Sequence, residues 1–526
     1  MEKERGNRIQ RTHPYAGRWI ARIRGQVVGQ GGTIEQALAS AYSSRFKEIP
    51  ILSYIPLQQT MPFSDLVFEI QKILRAEKQV YLVGGAVRDA LMGRENHDLD
   101  LVCMADTRRL AHLTADSLHA DVFTLDPDRG MYRVIVHPVD GVDTVVDFSD
   151  ARGKTLVDDL TGRDFSINAI AVDIQDPYKL IDPLGGARAI RDKVLTACSP
   201  RSMEDDPVRV LRGIRFAARL GFRLEEATRA QMKAAASRLG DVTMERRRDE
   251  IVKILASGRP DTALRAVDWL KGLDFILPGI EAIRLKMGRD WWNDVLAELQ
   301  SAQLLLNLLR VDRPHTEAGD LAAGLAAMKL GRFSAEIADH FRKPVLTERE
   351  RESLFLLSLP VSAMAAARNE DRLPEDIGRE LKLSRQEGAY LDRVCRGEKL
   401  CRDLQGRTTG ALEVYRFYKQ SSDAGVDAVL AHAAVVHASQ KLSADSGTWL
   451  MCLDTCQSLL EGWWNHYEEW VNPPVLVNGD ELISECNLTP GPQIGEWLTR
   501  IREKQVCGEL SNPQEAIAWV RSQMRK

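Results

Sequence analysis

Two carboxylates separated by one leucine, in Asp98-Leu99-Asp100-Leu101-Val102, are the residues of this chain best placed to do chemistry. Alternation along a strand sends Asp98 and Asp100 to one face and Leu99 and Leu101 to the other. Acids held side by side repel, and a divalent cation is the economical reason to keep them, most naturally Mg2+ shared with a nucleoside triphosphate. Just upstream, Gly84 and Gly85 separate the apolar run Val80-Tyr81-Leu82-Val83 from a helix-like run that begins at Val87. Bare backbone there lets phosphates approach, and helix N–H groups can meet them. A glycine pair alone is weak evidence. Joined to an Asp-x-Asp on the following strand, it reads as a site of nucleotidyl transfer.

Three further groups suit that chemistry. Asp147, in Val145-Val146-Asp147-Phe148, falls on a predicted neighbouring strand and could complete a set of three acids. On its own residues, the choice between metal ligand and ordinary strand acid stays open. Arg88 offers phosphate oxygens a planar, permanently charged fork, against the alternative of an ion pair with Asp89. In Asp206-Pro207-Val208-Arg209, Pro207 suits the first position of a helix and Asp206 its N-cap. Asp206 and Arg209, three apart, offer an acceptor beside a donor. Cytosine and adenine present an amino group next to a ring-nitrogen acceptor and match that pair, whereas uracil and guanine leave it unpaired.

Taken together, LVGGAVRDALMGRENHDLDLV, Arg163-Asp164-Phe165-Ser166-Ile167-Asn168-Ala169, Asp182-Pro183-Leu184-Gly185-Gly186 and Glu204-Asp205-Asp206-Pro207-Val208-Arg209-Val210-Leu211-Arg212 resemble, in order, the motifs of the bacterial tRNA nucleotidyltransferase and poly(A) polymerase family, the class II CCA-adding enzymes. The similarity spans residues 63–260 and weakens beyond. It implies an α/β nucleotidyltransferase head, a mixed sheet with helices, followed by a mainly helical neck, body and tail. It also implies Mg2+ on Asp98 and Asp100, with Asp147 as the further catalytic acid. Nucleotide contacts would come from Gly84, Gly85, Arg88, Arg163, Asp164 and Asn168, and base reading from Asp206 and Arg209 with Arg212 as helper. The implied partners are CTP, ATP and the 3′ end of tRNA, and the activity is template-free CCA addition. CC-only, A-only or poly(A) addition is the alternative, and a non-catalytic RNA-binding relative a more distant one.

Two features depart from the family. His315, His340, His432 and His437 lack the His and His-Asp spacing of the phosphohydrolase domain that several relatives carry. The segment 149–154 is short beside the family's flexible loop, which is tied to the switch from C to A, so it bears on the final A addition.

The composition fits a large globular protein. The 526 residues are 44% apolar and 28% charged, enough for several domains of about 100–200 residues. Eight scattered cysteines without C-x-x-C spacing argue for reduced thiols in a cytoplasm, and Cys452 and Cys456 could share a helix face. No apolar run approaches a membrane span and the first eighteen residues lack a signal-like core, which points to a cytoplasmic protein. A formal net charge of −4 leaves room for a local basic groove. Of the candidate patches, Arg246-Arg247-Arg248 with Lys253 and Arg188 with Arg191 and Lys193 read as solvated faces, while Arg209, Arg212, Arg215 and Arg219 stand at helical spacing beside a motif.

The chain divides by pattern into five parts. Residues 1–62 form a small α+β accessory unit: two short strands flank Arg24-Gly25, a capping box at Thr33 opens a helix, and a third strand lies near 49–55. The catalytic head occupies 63–185, with strands expected near 80–83, 98–103, 132–137, 144–148 and 169–174. A helical neck (186–262), a helical body resembling a degenerate phosphohydrolase domain (263–470) and a helical tail (471–526) follow.

Overall fold

The computed structural model describes Tyr15 and residues 18–23, 26–43, 49–55, 63–94, 96–137, 143–313, 321–345, 349–368, 373–440 and 446–524. The chain forms two compact units, Met1–Asp241 and Val242–Lys526.

The first unit begins with strands β1 (Arg18–Ile23) and β2 (Gln26–Gly31), helix α1 (Ile34–Tyr42) and strand β3 (Ile51–Ile55), paired antiparallel in the order β2-β1-β3. Thr33 Oγ1 accepts the Gln36 N–H, while the Gln36 side chain accepts from Gly32 rather than closing the box on Thr33. The turn read at Arg24-Gly25 lies outside the described residues. This module rests on the neck: Lys193 Nζ donates to Val27 O at 2.6 Å.

After helix α2 (Asp65–Ile73), the head runs β4 (Val80–Val83), α3 (Gly85–Leu91), β5 (Asp98–Cys103), α4 (Thr107–Leu118), β6 (Asp121–Asp126), β7 (Met131–Val136), β8 (Thr144–Asp150), α5 (Leu156–Thr161), β9 (Ala171–Asp173) and β10 (Asp176–Ile181). Its sheet is mixed, ordered β10-β9-β4-β5-β8-β7-β6, with β5 and β8 parallel and the other pairs antiparallel. All five expected head strands are present. Sequence reading missed β6 and β10, the two edges. An edge strand needs no clean apolar alternation, and every side chain of β6 keeps solvent contact. On β5 and β8 the alternation holds: Leu99, Leu101, Val146 and Phe148 are buried, and the acids take the other face.

The neck continues with α6 (Gly186–Asp192), α7 (Ser202–Asp205), α8 (Arg209–Leu220) and α9 (Glu226–Ala235). The helix expected to start at Pro207 with Asp206 as N-cap starts instead at Arg209, with Val208 as cap. The residue before a proline is pushed off the α region; Asp206 is extended (φ −149, ψ 97) and terminates α7.

The second unit is helical throughout its regular elements among the described residues. Its long helices are Arg289–Leu309, Arg351–Arg368, Arg385–Leu404, Gly425–Gln440 and Ser446–Asn465. Helices Gly479–Cys486, Pro492–Val506 and Pro513–Met524 close on a small core of Leu482, Ile501, Ala516 and Val520. Pro492 and Pro513 open the last two. Among the described residues no helix is long and apolar enough to cross a membrane.

Candidate active site

Register builds the site. Val83 on β4 pairs with Asp100 on β5, Asp100 pairs in parallel with Asp147 on β8, and Asp147 pairs with Arg133 on β7. A row of functional positions therefore crosses four strands. Gly84 turns the chain from β4 into α3 at φ +72, ψ −130, a conformation that side-chain-bearing residues rarely adopt. A Cβ there would lie 3.2 Å from Asp100 Oδ2 and 3.3 Å from Arg163 Nη1, so glycine is required both by conformation and by close approach.

Asp98 and Asp100 open to solvent on the face of the sheet. Even so, surrounding protein crowds the Asp100 carboxyl and raises its pKa to about 6, with Asp147 and Asp98 adding repulsion and Arg163 and Arg88 opposing it. Two hard oxygen donors in a strained pair fit a small divalent cation. Among the described residues no set of three or more His, Cys, Asp or Glu converges to hold one. That donor set suits Mg2+, which takes one or two carboxylates and completes its shell with water and substrate phosphates. The Asp147 oxygens are engaged elsewhere: Arg133 Nε donates to Oδ1 and Nη2 to Oδ2, both at 2.8 Å.

The arginines converge from the other side. Arg163 donates through Nε to the buried Asp159 at 2.9 Å, leaving Nη1 toward Gly84 and Asp100. Arg88 forms the ion pair with Asp89, at 2.8 and 2.9 Å, and donates through Nη1 to Asn168 Oδ1 at 2.7 Å. Asn168 Nδ2 and Arg212 Nε in turn donate to Asp164, at 3.1 and 2.8 Å. Burial opposes the Asp164 charge, but Arg212, Asn168 and the Phe165 N–H outweigh it and hold the carboxyl below its usual range. Arg88, Arg212 and Arg215 ring the face of Phe216, with guanidinium carbons 5.5, 5.7 and 4.4 Å from the ring centroid. The basic helical patch therefore turns Arg212 and Arg215 inward, and of its four members only Arg219 is exposed. The Asp182 motif is a brace: its carboxylate accepts the Gly186 and Ala187 N–H groups, and a Cβ on Gly186 would lie 2.1 Å from Ser166 O.

Arg209 is fixed by main chain. Nη1 donates to Arg163 O and Ser202 Oγ at 3.1 and 2.9 Å, and Nη2 to Gly162 O at 2.7 Å, which ties α8 to the turn carrying Arg163. Asp206, half-buried, accepts from the Val208 N–H at 3.4 Å, and its carbonyl accepts the Arg209 N–H at 3.0 Å, so a turn rather than one helix face links the two residues. Gly84, Gly85, Arg88, Asp98, Asp100, Asp147, Arg163, Asp164, Asn168, Asp206, Arg209 and Arg212 all lie within the first unit. Sequence reasoning missed Arg133, Asp159 and Phe216. The i,i+4 spacing of Asp159 and Arg163 was a usable signal; Arg133 and Phe216 gave none.

In the second unit the histidines are dispersed among separate buried partners. His340 Nε2 lies 2.9 Å from Asp427, His432 Nδ1 3.3 Å from Glu398, and His437 Nδ1 3.0 Å from Ser301 Oγ. His315 lies outside the described residues.

A mixed-sheet head with a Gly-Gly turn over paired acids, followed by a helical body, defines a nucleotidyltransferase. Comparison with known proteins is specific. Residues 80–196 match the poly(A) polymerase head domain, 221–284 a probable RNA- and SrmB-binding site of polymerase A, and 472–520 a putative second domain of tRNA nucleotidyltransferase. The chain is 28% identical over 475 residues to the CC-adding tRNA nucleotidyltransferase of Synechocystis sp., covering 89% of this chain and 98% of that protein. It is also 28% identical over 463 residues to the A-adding tRNA nucleotidyltransferase of Deinococcus radiodurans, covering 84% and 94%. Among solved structures, a CCA-adding enzyme in complex with CTP superposes with a TM-score of 0.58 at 22% identity, covering 88% of this chain and 95% of that one. The chain is thus an enzyme whose residues 80–196 match a poly(A) polymerase head domain and which is similar over most of its length to tRNA nucleotidyltransferases.

Proposed function

We propose that this protein transfers CMP and AMP from CTP and ATP to the 3′ end of tRNA, completing CCA without a template and releasing pyrophosphate. The row of Asp100 and Asp147 beside the Gly84 turn and Arg163 carries the reading. The 3′-hydroxyl oxygen bonds to the α-phosphorus as the bond to pyrophosphate breaks. Asp98 and Asp100 would hold Mg2+, which when bound neutralises charge on the phosphates. Gly84 and Gly85 give the triphosphate close access to backbone, and Arg163 and Arg88 stand where its oxygens would lie. Asp206 accepts from the exocyclic amino group of C or A, and an Arg209 N–H not spent on Gly162 O, Arg163 O or Ser202 donates to the ring nitrogen. Relatives of both CC-adding and A-adding type match at the same 28% identity.

A CC-adding enzyme is the second reading, favoured by the connection from β8 to α5. The Arg152 N–H donates to Asp159, the Lys154 N–H to Asp158, and Thr155 and Asp158 form a reciprocal cap, so this short segment is pinned. One assay separates the readings: tRNA ending at the discriminator base, with CTP and ATP singly and together, resolved at one nucleotide. Full CCA addition stops at three residues. Arrest at CC with saturating ATP means a CC-adding enzyme, and long A tails on unrelated RNA mean a poly(A) polymerase.

A further inference from the structure

The third acid of the row is in register with Asp100 but faces a cation that the protein itself supplies. Arg133 and Asp147 are direct cross-strand partners on β7 and β8, and their side chains meet in a parallel fork, with two N–H···O bonds of 2.8 Å each. Bidentate geometry of this kind occupies both carboxylate oxygens and fixes the plane of the group. Among the described residues Asp98 and Asp100 have no such fork: the Asp98 N–H donates to Asn96 Oδ1, and Asp100 stands among Arg163, Asp147 and Asp98. A cross-strand ion pair is an ordinary device on a sheet, worth little when exposed. What sets this one apart is its position, one strand from the acids that would hold the metal.

We propose that Arg133 is a positioning residue that latches Asp147 away from the cation, so that the resting site presents two carboxylates, Asp98 and Asp100, and Asp147 serves to orient rather than to ligate. The proposal deepens the nucleotidyl-transfer reading and rests on it. A third direct carboxylate would bind the ion more tightly through added ligand charge, at the expense of the open positions that triphosphate oxygens must fill. The latch keeps those positions open.

The test uses Mn2+ as the probe, with binding to the full-length, nucleotide-free protein followed by electron paramagnetic resonance of the free ion. Arg133→Lys keeps the charge and gives up the fork, releasing at least one Asp147 oxygen. It should bind Mn2+ about tenfold more tightly than wild type, and adding Asp147→Asn should abolish that gain. Asp147→Asn alone should leave Mn2+ affinity within about twofold of wild type, because a latched acid is not a ligand. Both side chains of the pair keep solvent contact, so the variants should fold, which thermal melts verify. The latch is overturned if Arg133→Lys matches wild type, if its tighter binding survives Asp147→Asn, or if Asp147→Asn alone loses the ion. Undiminished Mn2+ binding in Asp98→Ala with Asp100→Ala would instead remove the metal from this face, a failure of the underlying reading that the Arg133 arms would not produce.

Discussion

The Asp98–Asp100 pair of the head and the Asp427 cluster of the helical body treat acids in opposite ways. In the body, Asp427 is fully buried and fully paired: Tyr390 OH donates to it at 2.7 Å, Arg351 Nε at 3.1 Å, and His340 Nε2 stands 2.9 Å away. Burial opposes its charge, but His340 and Arg351 outweigh that and hold its carboxyl below the usual range. Glu398, equally hidden, pairs with Arg402 and His432. In the head, the Asp100 carboxyl is desolvated by the surrounding protein and repelled by Asp147 and Asp98, more than Arg163 and Arg88 offset, so its pKa rises to about 6. Satisfied acids build a scaffold. Frustrated acids hold binding energy for a ligand that neutralises them, and the difference lies in the partners, not in the residue type.

The largest effect expected from that contrast is on turnover. Asp98→Ala or Asp100→Ala should lower incorporation by about a thousandfold or more, since charge stabilisation at the reacting phosphate is lost; single-turnover labelling of tRNA measures it. The same site should gain stability. Above pH 6 the Asp100 carboxylate is ionised against its environment, so Asp100→Asn should raise the melting temperature of the metal-free protein at pH 7.5. The folded pKa lies above the unfolded value, so this gain should shrink as pH falls through about 6 and the native carboxyl takes up its proton. A lower melting temperature for Asp100→Asn at pH 7.5 would break the contrast.

In the body the same chemistry should run the other way. Asp427→Asn takes from Arg351 its buried counter-charge, leaving only the half-exposed Asp423, and should cost about 3 kcal/mol in urea unfolding, with turnover per folded molecule unchanged. Loss of activity without loss of stability would place Asp427 in the reaction.

Between these extremes lie Asp206 and Arg209, proposed above to read the base. Asp206→Ala should reduce discrimination of CTP over UTP by about 10–100-fold, equivalent to one lost polar contact, with triphosphate affinity retained. Arg209→Ala should do the same and also loosen the Gly162 turn, so the two variants should differ in melting temperature while sharing the misincorporation. If both lose only stability, Asp206 merely ends α7.

The smallest effect concerns Asp164. Its folded pKa is depressed, so its contribution to stability is present above the unfolded value near 3.8 and is lost as pH falls through the folded one. Arg212→Gln removes the strongest partner and should move the acid limb of the pH–stability curve upward, read by thermal melts between pH 3 and 6.

The sequence by itself determined the parts of this site that are local. Alternation put Asp98 and Asp100 on one face, Gly84 and Gly85 could only be a turn or a close approach, and the Asp206-to-Arg209 motif stood out by type and spacing. The head strands with buried alternation were legible for the same reason, since each residue's environment repeats every two positions. Tertiary structure alone decided which charges meet. Arg133 reaches Asp147 across fourteen residues and Arg212 reaches Asp164 across forty-eight. Such pairs are set by strand register and helix docking, which no local pattern encodes. Docking likewise turned Arg212 and Arg215 of the basic stripe of α8 inward onto Phe216, whereas the Asp206 cap gave way for a local reason, the proline that follows it. Residue type fixes what a side chain can do, but its charge state and availability depend on neighbours that only the folded chain supplies.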